Sequence, residues 1–172
     1  MLEAAGVEII YNTFGFDITE DLPAITAAVR GPLENPAYHV VVDVGGNDSG
    51  ARILKQFAKY LVGDDVELLC VLNGNRMETD SVSGMLEHLA SIEVETGLKF
   101  DGIINNTHML METTAEDVVK GYQLCEEVSK KLDIPVVWNT CREDLVADLQ
   151  ALIDMENVYP MKLFMRPSWL DR

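Results

Sequence analysis

Apolar runs rich in β-branched residues recur along the chain at positions 7–11, 38–44, 66–72, 102–104 and 134–138, with a weaker run at 161–165. Runs of this length and composition predict strands buried on both faces. Between them the apolar positions fall at helical offsets: Ile53, Phe57 and Leu61; Val82, Met85, Leu86 and Leu89; Val118, Tyr122, Cys125 and Leu132; Leu145, Leu149 and Leu152. Thr113-Thr114-Ala115-Glu116 has the form of a capping box opening one helix. Asp48 or Ser49 and Asp80 or Ser81 are candidate caps for two others. Strands alternating with helices predict an α/β fold, a mainly parallel sheet of about five to six strands with helices on both faces. The stretch 12–36, with Pro23, Pro32 and Pro36, is the least regular part and reads as a short helix between loops.

The 172 residues (19.1 kDa) are enough for a single domain over 1–172 and too few for two ordinary ones. Charge narrows the partners. With 29 Asp and Glu against 13 Lys and Arg, the formal charge is −16, a field that repels nucleic acid and anionic membrane surfaces alike. A hydrophobic content of 48% excludes a disordered acidic tail. Cys70, Cys125 and Cys141 are far apart and form no C-x-x-C, so neither a zinc site nor a disulfide framework is suggested, and a reducing cytoplasm fits. Nothing in the chain has the length of a membrane span or the layout of a secretion signal.

In an open parallel sheet, ligands bind at the carboxyl ends of the strands, which directs attention to three segments. After the run 38–42 comes Asp43-Val44-Gly45-Gly46-Asn47-Asp48-Ser49-Gly50. An Asp at a strand end can hold magnesium through water, and a Gly three positions on exposes its N–H to a phosphate. The same residues also suit a plain strand-to-helix turn. The run 66–72 leads into Asn73-Gly74-Asn75-Arg76, and the run 102–104 into Asn105-Asn106-Thr107-His108. An Asn carboxamide is donor and acceptor at once, which suits a purine edge and equally suits a turn that binds its own backbone. His39 and His88 have no ligand-spaced partners, His108 sits in a candidate site loop, and the pairs Asp64-Asp65 and Glu126-Glu127 read as solvated faces. The tail from Lys162 to Trp169 mixes basic and aromatic residues, but Pro167 interrupts any amphipathic helix there, so a last strand with a docked tail is expected.

Taken together, Val40-Val41-Val42-Asp43-Val44-Gly45-Gly46, Asn73-x-x-Arg76-x-x-Thr79 and Ile104-Asn105-Asn106-Thr107-His108 resemble the later part of the MinD/ParA-like P-loop ATPases, the CobQ/CobB/MinD/ParA group. The resemblance implies a P-loop NTPase-like fold with N-terminal strands missing, ATP and Mg2+ as ligands, Asp43 as the magnesium-side acid, Gly45 and Gly46 beside the terminal phosphate, and Asn105 or Asn106 as the amide contacting the base. Such ATPases begin with a strand and a G-x-x-x-x-G-K-[ST] loop. This chain opens at Leu2-Glu3-Ala4-Ala5-Gly6-Val7, and Gly-Lys-Ser or Gly-Lys-Thr occurs nowhere in it. The loop supplies most of the phosphate grip, so the expectation is weak or no ATP binding and no hydrolysis, in a truncated frame, a natural fragment or a degenerate homologue.

Two rivals remain. Val42-Asp43-Val44-Gly45-Gly46 is similar to the first motif of S-adenosylmethionine-dependent methyltransferases, although Asn47-Asp48-Ser49 intervene before the next glycine and the run 66–72 ends in Asn73 where an acid should stand. A non-catalytic interaction subunit working with an unknown protein partner is the other. In the ATPases the phosphate-loop strand lies between the runs equivalent to 38–44 and 66–72. Without it these runs are expected to close up as one β-α-β unit, and the uncovered apolar surface to drive self-association.

Overall fold

The computed structural model describes residues 3–10, 29–46 and 48–163. Four strands, β1 (Leu69–Leu72), β2 (Gly102–Asn105), β3 (Val136–Arg142) and β4 (Val158–Met161), form one sheet in the order β1-β2-β3-β4. Every pairing is parallel, with Leu69 beside Gly102, Asn105 beside Asn139 and Arg142 beside Met161. Successive parallel strands need crossovers, and helices α3 (Val82–Thr96), α4 (Ala115–Leu132) and α5 (Val146–Leu152) provide them. Earlier in the chain lie the short α1 (Arg30–Glu34) and α2 (Asp48–Lys55), and α2 packs on α3.

Because each crossover steps one strand in the same direction, right-handed connections put α3, α4 and α5 on the same face. The side chains agree. Cys70, Leu72 and Ile103 are buried beneath Met85 and Leu89 of α3 and Cys125 and Val128 of α4, while Cys141 is buried against Ala115, Val118 and Leu149. On the opposite face Val71 is 57% exposed, Trp138 41% and Tyr159 53%, with Trp138 and Tyr159 in edge-to-face contact. The expected helices on both faces are therefore corrected: the described helical layer covers one.

The helix ends follow local chemistry. Ser81 caps α3 by accepting from the Gly84 N–H, and Gly97, at φ 74°, terminates it in the left-handed region. The capping box of α4 lies one residue later than the sequence pattern: Thr114 is the cap and Asp117 the reciprocating acid.

Four strands are described, against the five to six expected. Residues 7–10 and 38–45 have no strand pairing and are exposed, apart from the half-buried Val44, and Tyr11 lies outside the described residues. The run 38–44 has strong strand propensity, but a lone strand is not stable, and no neighbour is laddered to it. The expected closure onto β1 is likewise corrected. A cleft of about 2150 Å³ separates the two, running from Leu68 and Asp101 at the amino end of β1 to Asn73 and Asn106 at its carboxyl end. The final strand is Val158–Met161, earlier than the run at 161–165, of which 164 and 165 lie outside the described residues.

Candidate functional site

The carboxyl ends of β1 and β2 carry Asn73 and Asn105, Asn139 lies beside Asn105 in the middle of β3, and the structure gives the three different work. Asn105 is wholly buried. Its Nδ2 donates to the Val118 carbonyl at 3.2 Å and to Asn139 Oδ1 at 3.1 Å, and its Oδ1 accepts from the Thr107 N–H at 3.2 Å and the Thr107 hydroxyl at 2.8 Å. All four hydrogen-bonding positions of the amide are filled. Asn105 therefore has nothing left to offer a base, and its assignment as a binding residue is corrected to an internal strut. Asn139 extends the strut, donating to the Glu156 carbonyl at 3.2 Å.

Asn73 joins the first two loops. Its Oδ1 accepts from the Asn75 N–H at 2.9 Å and the His108 N–H at 3.3 Å, and its Nδ2 donates to the His108 carbonyl at 3.2 Å. Gly74 N–H donates to Thr107 Oγ1 at 2.9 Å, while Lys120 Nζ donates to the Gly74 carbonyl at 3.0 Å and to Asn75 Oδ1 at 3.3 Å. Asn75 in turn donates to Asp117 at 3.2 Å, tying the loop to the start of α4. Asp117 is held below the usual carboxylate range, chiefly by the Thr114 backbone N–H and further by Asn75.

Asn106 is different. It is half-buried, its Oδ1 accepts from the Thr140 hydroxyl at 2.6 Å, and it lines the cleft. Asp43, Gly45 and Gly46 line the same cleft, as do Arg76 and His108 from the loops after β1 and β2. Burial, and then the nearby Arg76 guanidinium, push the His108 imidazole below its ordinary value, so it is neutral at pH 7. Its Nδ1 accepts from the Leu110 N–H at 3.3 Å, which leaves the proton on Nε2.

Of the residues singled out in the sequence, then, Asp43, Gly45, Gly46 and Asn106 meet at one cleft and Asn105 does not join them. Thr140, which orients Asn106, and Lys120, which fixes the Gly74 turn, were missed. Thr140 had a signal, since Asn139-Thr140 ends a strand run as Asn105-Asn106 does. Lys120 had none, because 46 residues separate it from its partner.

Chemically, a carboxylate, two glycine N–H groups, a guanidinium and a free carboxamide edge can meet a hydrated cation, a phosphate and a base. The donor set fits Mg2+ in part: one carboxylate with substrate phosphates is a workable magnesium arrangement. Among the described residues no group of three His, Cys, Asp or Glu converges as a cage for a metal held by protein alone. The chain matches no protein-family model, no curated protein and no solved structure.

Proposed function

We propose that this chain is a MinD/ParA-like nucleotide-binding domain that binds ATP weakly and does not hydrolyse it as it stands. The observation supporting this reading is the meeting of Asp43, Gly45–Gly46 and Asn106 at one cleft, in the order and at the loops the family resemblance implies. Asp43 would take the magnesium side, the Gly45 and Gly46 N–H groups and Arg76 the phosphates, and Asn106 the base. Magnesium bound there would supply charge neutralisation between phosphate oxygens. Asn106 is held by the Thr140 hydroxyl and lines the cleft, which supports its assignment to the base. What the chain lacks is a glycine-rich loop with its lysine, so the phosphates are gripped from one side only.

Calorimetry with Mg-ATP, ADP and S-adenosylmethionine tests the reading. The expected result is binding of ATP and ADP with Kd no tighter than about 1 mM, weakened further by Asn106→Ala. Tight binding of S-adenosylmethionine alone would instead make the fold a methyltransferase. ATP turnover that survives repurification and disappears in Asp43→Ala would overturn the claim of no hydrolysis.

A further inference from the structure

The two edges of the sheet are treated differently. At one edge, β4 carries Pro160, which has no N–H to offer a neighbour, and a lysine follows at Lys162. These are the usual ways of blunting an edge against further pairing. The other edge, β1, reads Leu69-Cys70-Val71-Leu72, with neither proline nor charge. The carbonyls of Leu68 and Leu72 accept from the Asp101 and Asn106 N–H groups on the β2 side, each at 2.8 Å. Backbone groups alternate along a strand, so Leu69 and Val71 direct theirs outward, where no strand lies among the described residues.

That bare edge forms one wall of the cleft, and the exposed Val40, Val41 and Val42 stand along the other. At about 2150 Å³ the cleft is about twice the upper end of the range for small-molecule pockets, and it is elongated along a strand. Its charge is one-sided. Seven carboxylates line it, among them Asp43, Asp64, Asp65, Glu67 and Asp101, and Arg76 is the only Lys or Arg among its described lining residues. A second copy of a chain bearing −16 is repelled from such a rim, whereas a segment flanked by cations is drawn to it.

We propose that the cleft along β1 is a docking site for an apolar β-strand flanked by Lys or Arg and donated by another polypeptide. The strand hydrogen-bonds to the outward groups of Leu69 and Val71 and packs its side chains against Val71 and the valines at 40–42. Backbone pairing supplies the affinity and the acidic rim the selectivity, the usual division in β-augmentation. The proposal goes beyond the nucleotide reading and rests on separate observations, and because both occupants share this cleft a docked strand and a nucleotide would compete for it.

The test uses three synthetic peptides on the full chain: a Val/Ile-rich segment with two Lys at each end, the same segment with Glu ends, and the Lys form with a central Pro. Amide hydrogen exchange follows Leu69 and Val71 while calorimetry follows binding. Both amides should exchange fast in the free protein and become protected with the Lys-ended peptide. That peptide should bind at least about tenfold tighter than the Glu-ended form, lose its advantage in high salt, and lose binding altogether with Pro. Val71→Asp should abolish binding, while Val94→Asp, on the exposed surface of α3, should leave it intact and control for folding. Any of three results overturns the proposal. These are equal binding of the Lys and Glu peptides, protection of Leu69 and Val71 in the free protein that grows with its concentration, which would make a second copy the occupant, and no protection with any peptide.

Discussion

Asn105 shows how much a single side chain can carry without touching solvent. Truncating it to Ala leaves Asn139 Oδ1 and the Thr107 N–H without partners in a buried setting, each costing about 1–3 kcal/mol if unsatisfied, and takes a second bond from the Val118 carbonyl within α4. We expect Asn105→Ala to lose at least about 2 kcal/mol in urea denaturation and Asn106→Ala less than about 1 kcal/mol, since the Asn106 side chain is half-buried and bonded by Thr140 alone among the described residues. A reversed ranking would undo the assignment of strut and ligand. In the sequence the two residues are indistinguishable neighbours at a strand end. What separates them is the strand's alternation, which turns Asn105 toward α4 and Asn106 toward the cleft, and that phase is set by pairing with β1 and β3. The thiols make a second case. Burial pushes Cys70 and Cys125 up to about 12, so neither should react with a chromogenic disulfide reagent at pH 8 until the protein is unfolded. Their wide spacing in the chain gave no sign that both lie in one core.

At the scale of the element, α4 was the most legible. Of Val118, Tyr122, Cys125 and Leu132, read as its apolar positions, Val118 and Cys125 are buried, Tyr122 is half-buried and only Leu132 is exposed, and its capping box lay within one residue of the observed cap. Asp117 gives that cap a pH signature. Its folded pKa is depressed, so its contribution is fully present above the unfolded value of about 3.9 and is lost as pH falls through the folded value. Asp117→Asn should therefore flatten the decline of stability between about pH 5 and pH 3 relative to the parent chain, as measured by urea midpoints. Gly121 was not legible, because its reason is tertiary. A Cβ there would sit 2.5 Å from Asn105 Oδ1 and nearer still to Thr107 Oγ1, so the helix can approach the carboxyl end of β2 only with glycine at this turn. Gly121→Ala should destabilise the fold although alanine is the better helix former, and a stabilised variant would show that α4 can move away. The run 38–44 is the opposite case. Its propensity predicts a strand, and what it lacks is a neighbour to pair with.

The whole molecule combines a large negative charge with an uncovered sheet face bearing Trp138, Tyr159 and Met161. Apolar surface favours association and like charge opposes it, and only the second is screened by salt. The self-association expected from the sequence should thus depend on salt: monomer in sedimentation at about 20 mM ionic strength, dimer increasing toward about 0.5 M, and the increase lost in Tyr159→Lys. Dimerisation that weakens with salt would mean that ion pairs and not the sheet face hold the copies together. The strictly consecutive order β1-β2-β3-β4 has a further, kinetic consequence. Each strand finds its neighbour through a single crossover, so the sheet can complete itself without waiting for anything outside β1. A segment docked later on that edge is absent from the rate-limiting step of folding. It should leave the refolding rate unchanged and slow unfolding, so that the partner acts as a brake on opening and plays no part in assembly.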